Sequence, residues 1–355
     1  MSEEAVTIGW KAPSNIALIK YWGKRANQIP ENGSLSITLA NSTTTTFLTF
    51  NKKEKEDQLI SVEYYFHGER QLQFEKKTDL LLNQLSSEIG FLKNYNLIFK
   101  SENNFPHSTG IASSASSMAA LALCLVSMEE IITHNKLNRD DFFCRASTIA
   151  RLGSGSASRS VFGGLVSWGL IPSLEQSADE YATPFIIHST SRLNTIRDII
   201  LIVSAKEKSV SSTMGHSLMN HHPYKEGRKA QANENMVKII EGIRKDNYQA
   251  IAEISENEAL SLHALLMTSG SDGLLLKPNT IKIIEEIKYF RKTSGLDLFF
   301  TIDAGPNIHL IYYDDQRKQV LAFVESTLSQ YCEGGKWIDD HIGNGPEQLS
   351  PALRN

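Results

Sequence analysis

Phe105-Pro-His-Ser-Thr-Gly-Ile-Ala-Ser-Ser-Ala-Ser-Ser117 is the stretch on which the reading of this 355-residue chain turns. An apolar β-type run, Asn96 to Ser101, leads into it, and Pro106 and Gly110 bend it. An Ala-, Ser-, Leu- and Met-rich run from Ser114 to Glu130 then continues as a buried helix. A strand that enters a helix through small residues presents free backbone N–H groups and the positive end of the helix dipole, and both attract anions. Gly110, Ala112 and Ala115 let a phosphate approach the backbone, while Ser113, Ser114, Ser116 and Ser117 add donors. The pattern GxxxxGK(S/T) of a Walker A loop is absent. The same residues also suit a small-residue helix packed on a sheet with an ordinary serine cap.

Three further segments carry chemistry. Ala12-Pro-Ser-Asn-Ile-Ala-Leu-Ile-Lys-Tyr-Trp-Gly-Lys-Arg25 sets Asn15, Lys20, Lys24 and Arg25 in an apolar context, where buried cations need an anionic partner and Tyr21 adds a phenol. Solvated cations at a strand end, with a packed Trp22, are the plain alternative. Arg151-Leu-Gly-Ser-Gly-Ser-Ala-Ser-Arg-Ser160 joins a hydroxyl-rich turn to two arginines and forms a second anion cradle, or a helix end followed by a surface loop. Phe299-Phe-Thr-Ile-Asp-Ala-Gly-Pro-Asn307 ends an apolar strand in an acid, which serves as a base if it faces a cleft and otherwise begins a turn. Two anion cradles, a lysine pair and one acid together suit transfer between a nucleotide and an anionic small molecule.

Hydrophobic residues make up 41% of the chain and charged residues 21%, an ordinary globular balance. A net charge of −4 gives no global positive field for nucleic acid or an anionic membrane. Cys124, Cys144 and Cys332 have neither disulfide nor zinc spacing, so a reducing, cytoplasmic setting is expected. The acidic N-terminus lacks signal-peptide regions, and apolar runs such as Met118 to Met128 fall short of a membrane span.

Periodicity predicts strands over Val6 to Phe50, Gln58 to Phe66, Leu165 to Leu170, Asp198 to Ser204, Leu296 to Ile302 and Ile308 to Tyr313. It predicts helices over Thr78 to Leu92, Arg139 to Leu152, Lys225 to Arg244, Tyr248 to Met267, Thr280 to Thr293 and Gln316 to Tyr331. Weakened periodicity from Asp179 to Ser191 places a domain boundary near 190, giving domains 1–190 and 191–355.

The chain resembles the diphosphomevalonate decarboxylase family of the GHMP kinase superfamily. The likeness is carried by Ala12-Pro13, Asn15-Ile-Ala17, Lys20-Tyr-Trp-Gly-Lys-Arg25, Ser34-Leu-Ser-Ile-Thr-Leu39, Asn104-Phe-Pro106 with Gly110 and Ala112-Ser-Ser114, Gly153-Ser-Gly-Ser-Ala157 with Arg159-Ser160, Val210-Ser-Ser-Thr213 with Gly215, and Asp303-Ala-Gly-Pro-Asn307. It implies a two-domain α+β GHMP kinase fold, with an N-terminal domain like domain 2 of ribosomal protein S5, a ferredoxin-like C-terminal domain and the site in the cleft between them. It also implies a homodimer, and ATP- and Mg²⁺-dependent conversion of (R)-5-diphosphomevalonate to isopentenyl diphosphate, ADP, phosphate and carbon dioxide. On the same resemblance, Asp303 is the base or orienting group for the C3 hydroxyl, Lys20 stabilises charge at the transferred phosphate, and Arg159 with Asn15 holds the C1 carboxylate. Tyr21, Trp22, Gly23, Lys24, Lys77, Ser154, Gly155, Ser156, Ala157, Ser158, Arg159 and Thr213 are implied substrate contacts. Ser108, Gly110, Ala112, Ser113, Ser114, Ser116 and Ser117 are implied to meet ATP, with the metal held by phosphates and waters rather than by protein ligands.

Two departures from the family pattern stand out: His107-Ser108-Thr109 where Thr-Ala-Ala is usual, and Ser158 where cysteine is common. His107 is expected to be a partly exposed loop residue. His216, His221 and His222 lack a ligand cluster around them and are expected to be solvated rather than metal-bound. Within the superfamily the alternatives are a 5-monophosphate decarboxylase and a 3-kinase; outside it, a catalytically silent metabolite binder.

Overall fold

The computed structural model describes residues 4–54, 59–106, 112–206, 212–270 and 274–350. The first half contains β1 (Val6–Ile19), β2 (Ser34–Lys52), β3 (Ser61–Phe66), β4 (Glu69–Arg70), α1 (Leu72–Leu85), β5 (Tyr95–Asn103), α2 (Ser113–Thr133), α3 (Arg139–Gly153), β6 (Leu165–Trp168) and β7 (Ala182–Phe185). The second contains β8 (Ile196–Leu201), α4 (Ser212–Ser217), α5 (Lys225–Arg244), α6 (Tyr248–Thr268), α7 (Pro278–Ser294), β9 (Phe299–Thr301), β10 (Ile308–Tyr313), α8 (Arg317–Phe323), β11 (Trp337–His341) and β12 (Glu347–Leu349).

The larger sheet runs β12-β1-β2-β5-β3-β4, with β6 bonded to the first part of β2 and β7 to β6. β1 slips register between Pro13 and Asn15 and again between Ala17 and Ile19. Such bulges bend a strand and re-aim its side chains. Asn15 and Lys20 both leave the chain from this bent portion. α2 and α3 cover one face of the sheet, burying Leu121, Leu123, Ile149 and Ala150 against Trp10, Leu48 and Phe99. α3 is started by Asn138, whose side chain accepts from the Asp141 N–H at 2.9 Å, and Asp140 and Asp141 complement the dipole of its first turn. At 21 residues α2 is long and apolar enough to cross a bilayer by length and composition, more than the Met118 to Met128 run suggests, yet most of it is buried inside the protein.

The smaller sheet has the order β11-β8-β10-β9, antiparallel throughout. Its chain order of strand, helices, two strands, helix and strand is the ferredoxin-like arrangement. The two halves share one core, in which Ile16, Leu18 and Ile37 pack with Ile200, Ile239 and Phe299. β12 then returns to pair with β1, Gly9 opposite Leu349. On the way Asn344 crosses so close that a side-chain carbon at Gly163 would lie 2.3 Å from its carbonyl carbon, which leaves glycine as the residue that fits.

Several elements differ from the sequence expectation. α1 spans Leu72–Leu85 rather than Thr78 to Leu92, because its buried stripe is Thr78, Leu81, Leu82 and Leu85 and the chain then breaks at Ser86. The single helix expected from Gln316 to Tyr331 is α8 followed by a π-helical turn, Val324–Leu328, and a tight turn, Ser329–Tyr331. Strands β11 and β12 were hidden by polar residues, and β7 by its four-residue length and Pro184. Asp340 in β11 is fully buried because it accepts N–H bonds from Asn41, Ser42 and His341 at 2.7–2.8 Å.

Candidate active site

A cavity of about 500 Å³ opens where β1 runs out, between the N-terminus of α2, the turn after α3, and the loop that follows β9. Its charged centre is an ion pair between a buried lysine and an aspartate whose side chain stays 29% exposed to the cavity. Lys20 Nζ donates to Asp303 Oδ1 at 2.6 Å, although the two residues are 283 positions apart. Lys20 is 3% exposed. Burial is the largest influence on the Asp303 carboxyl and pushes its pKa up, but the Lys20 ammonium, helped by His309 and Arg159, outweighs it and holds the group below the ordinary carboxylate value. Burial also pulls the Lys20 ammonium down, against the pull of Asp303 and Glu258.

Arg159 lies behind this pair, 2% exposed and fixed in place. Its Nε and Nη2 donate to Asn15 Oδ1 at 3.3 and 3.2 Å, and its Nη1 donates to Ser34 Oγ. Asn15 Nδ2 in turn donates to Ser160 Oγ at 2.7 Å and to the Ser156 carbonyl at 3.1 Å. The guanidinium lies 5.5 Å from the ring centre of Tyr21 and 5.9 Å from that of Trp168. One face of it therefore rests on aromatic rings, while Asn15 holds its edge. Burial raises the Tyr21 phenol to about 12, which keeps it a neutral donor at physiological pH. At the edge of the same segment, burial lowers Lys24 to about 8.

The two cradles meet. Ser113, Ser114 and Ser117 from the start of α2 line the cavity with Ser154 and Ser156 from the turn, and Ser114 Oγ is 3.5 Å from Ser154 Oγ. Ala112, the residue before α2, has φ +49°, a left-handed conformation that costs an alanine about 1 kcal/mol. Ala112, Ser113 and Ser114 of that turn line the cavity, which sets the start of α2, where anions are favoured, at its wall. Ser116 faces the other way: it is fully buried, bonded to Thr44 Oγ1 at 2.6 Å, and pins α2 to the sheet. Gly155, Ala157 and Ser158 are likewise buried in the turn, with Ser158 Oγ donating to the Gly155 carbonyl at 2.8 Å.

Trp22 and Lys77 also border the cavity, Lys77 from the exposed side of α1 at its mouth. Gly23 has φ +104°. Thr213 belongs to α4, but its side chain, like all of Ser108, Gly110 and the His107-Ser108-Thr109 departure, lies outside the described residues. Among the described residues no group of three or more His, Cys, Asp or Glu side chains is placed to hold a metal ion.

The histidines correct the sequence reading. His216 and His222 are each 6% exposed rather than solvated. His216 Nδ1 accepts the Gly23 N–H at 3.1 Å, and its ring stacks on Tyr21 with ring centres 4.6 Å apart, at the cavity wall. His222 Nδ1 accepts the Tyr224 N–H, so its Nε2–H donates to the Leu265 carbonyl at 3.1 Å. His263, which sequence reasoning passed over, donates Nε2–H to the Asp303 carbonyl at 3.0 Å; burial lowers its pKa to about 4, so it is neutral at physiological pH. Its position on an apolar face of α6 offered no local signal.

Residues 12–178 match the diphosphomevalonate decarboxylase-like N-terminal domain, and residues 198–349 match the mevalonate 5-diphosphate decarboxylase C-terminal domain. The diphosphomevalonate decarboxylase of Gibberella zeae is 31% identical over 329 residues, covering 87% of this chain and 81% of that protein. A mevalonate diphosphate decarboxylase structure from Staphylococcus aureus superposes with a TM-score of 0.81 at 28% identity, over 98% of this chain and 99% of that one. A structure of MDDEF in complex with MVAPP, AMPPCP and magnesium superposes with a TM-score of 0.80 at 26% identity, over 98% of this chain and all of that one. From motifs through fold to relatives the lines converge: the chain belongs to the diphosphomevalonate decarboxylase family.

Proposed function

We propose that this chain catalyses the ATP-dependent decarboxylation of (R)-5-diphosphomevalonate to isopentenyl diphosphate, with release of ADP, phosphate and carbon dioxide. The observation that carries this reading is the Lys20–Asp303 pair, held at 2.6 Å where the two hydroxyl-lined cradles meet and Arg159 closes the back. An ionised Asp303 accepts the proton of the C3 hydroxyl as its oxygen bonds to the γ-phosphorus of ATP, and ADP departs. Lys20 offsets the charge on the transferred phosphoryl group. Loss of the C3 phosphate leaves electron deficiency at C3, and the C1 carboxylate supplies the electron pair as carbon dioxide leaves and the double bond forms. Arg159, with Asn15 steadying its edge, holds that carboxylate until the step.

The diphosphate end of the substrate is assigned to Tyr21–Lys24, Ser154–Ser156 and Thr213, with Lys77 at the mouth. The ATP phosphates are assigned to the start of α2. Hydroxyls and backbone N–H groups fit phosphate oxygens rather than a metal, so Mg²⁺ would be carried by the nucleotide phosphates and would supply charge neutralisation there. The three cysteines are unpaired, Cys124 and Cys332 being buried, which fits a reducing cytoplasmic compartment. A homodimer follows from the family resemblance and is checked by sedimentation.

The substrate assignment is tested by offering the protein, with ATP and Mg²⁺, mevalonate and its 5-monophosphate and 5-diphosphate separately. The diphosphate is expected to give the highest kcat/KM. A higher value with the monophosphate would overturn the assignment of the tail.

A further inference from the structure

Lys20 is gripped by its backbone as well as by its ammonium. The ladder between β1 and β2 ends at Ile19, so the peptide groups of Lys20 have no strand partner. A buried charged cluster takes that place. Glu258 of α6, fully buried, accepts the Lys20 N–H at 2.9 Å through Oε2. Arg228 of α5 pairs with both oxygens of Glu258, at 2.5 and 2.8 Å, and Asn235 Nδ2 donates to Oε1 at 2.7 Å. Arg228 Nη2 also donates to the Lys20 carbonyl at 2.9 Å, which accepts a second bond from Asn32 at 3.0 Å. Five residues along α6 from Glu258, His263 holds the carbonyl of Asp303. One helix thus fixes the backbone of both members of the ion pair.

A fully buried ion pair is a poor source of stability, since apolar residues of the same volume often serve as well or better. Its value here lies in where it points. We propose that Glu258 and Arg228 are a positioning pair, which replaces the missing strand partner of Lys20 and sets the direction from which its ammonium meets Asp303. This rests on the reading of Lys20 and Asp303 as the reacting pair. The charged and titratable groups around the Lys20 ammonium are Asp303 and Arg159 in the cavity, Glu258 backed by Arg228 behind it, the neutral His263, and Asp198 with its partner His309 from the smaller sheet. Removing the Glu258 carboxylate removes one of the groups that favour the protonated lysine.

The test uses the full chain in two variants, Glu258→Gln and the double variant Glu258→Leu/Arg228→Met, which removes both charges together so that neither is left unpaired. Each is assayed for carbon dioxide release, normalised to its folded fraction. In both variants kcat is expected to fall about ten- to a hundred-fold, while KM for ATP and for the diphosphate substrate stays within about threefold, as loss of alignment without loss of binding requires. In Glu258→Gln the alkaline limb of the kcat profile moves to lower pH. Wild-type kcat in the folded double variant would overturn the proposal, as would a loss in Glu258→Gln fully explained by unfolded protein with an unmoved profile. Failure of the wild-type chain to release carbon dioxide in the same assay would instead overturn the functional reading.

Discussion

The hydroxyl-lined floor of the cavity and its charged centre are built by opposite means. The floor, Ser113, Ser114 and Ser117 with Ser154 and Ser156, uses neutral hydroxyls and backbone N–H groups from two short segments of the first half. The centre uses charges drawn from both halves: Lys20 and Arg159 from one, Asp303 from the other, each fixed by a partner more than a hundred residues away. Binding many phosphate oxygens asks for numerous modest donors, so losing one costs little. Moving a proton beside a cation asks for a few charges in one geometry, so losing one costs the reaction.

The most severe break of that contrast is Asp303→Asn. It keeps the shape but removes the carboxylate proposed as the base, and kcat is expected to fall about a thousandfold or more while the diphosphate dissociation constant, measured by calorimetry, changes only several-fold. Next is Arg159→Lys, which cannot be gripped edge-on by Asn15 while resting on Tyr21; steady-state kinetics should show kcat/KM down about ten- to a hundred-fold. Lys24 sharpens the comparison through pH. Its ammonium is protonated below about 8 and neutral above, and the charged form favours a diphosphate, so kcat/KM should decline as pH rises through about 8, and Lys24→Met should flatten that limb. Smallest is Ser114→Ala: one neutral donor among several, worth about 0.5–1.5 kcal/mol, should raise KM for ATP only about two- to twelve-fold.

The same contrast explains what could be read from the sequence. Local features were legible: α5 spans Lys225–Arg244 and β10 spans Ile308–Tyr313 as their patterns predict, and α2 begins one residue from its expected start. The small-residue entry to α2 announces itself within a dozen positions. Periodicity says nothing of Lys20 meeting Asp303, and the family resemblance gave each a separate role without pairing them; the contact itself is a finding of the structure. Glu258, Arg228 and His263 left no trace, because a charged residue facing inward on an amphipathic helix looks like a break in the pattern until its partners are in place. Ser116 shows the reverse error. Its neighbours suggested a phosphate donor, but helix geometry turns it into the sheet, where Thr44 meets it.

The measurement that bears most directly on this site is the ratio of carbon dioxide to ADP formed from (R)-5-diphosphomevalonate and ATP in a single reaction mixture. On the proposed roles, with Asp303 as base, Lys20 beside the transferred phosphate and Arg159 on the departing carboxylate, one carbon dioxide is expected for each ADP. ADP formed without carbon dioxide would show that the site phosphorylates and stops, and would contradict the decarboxylase reading.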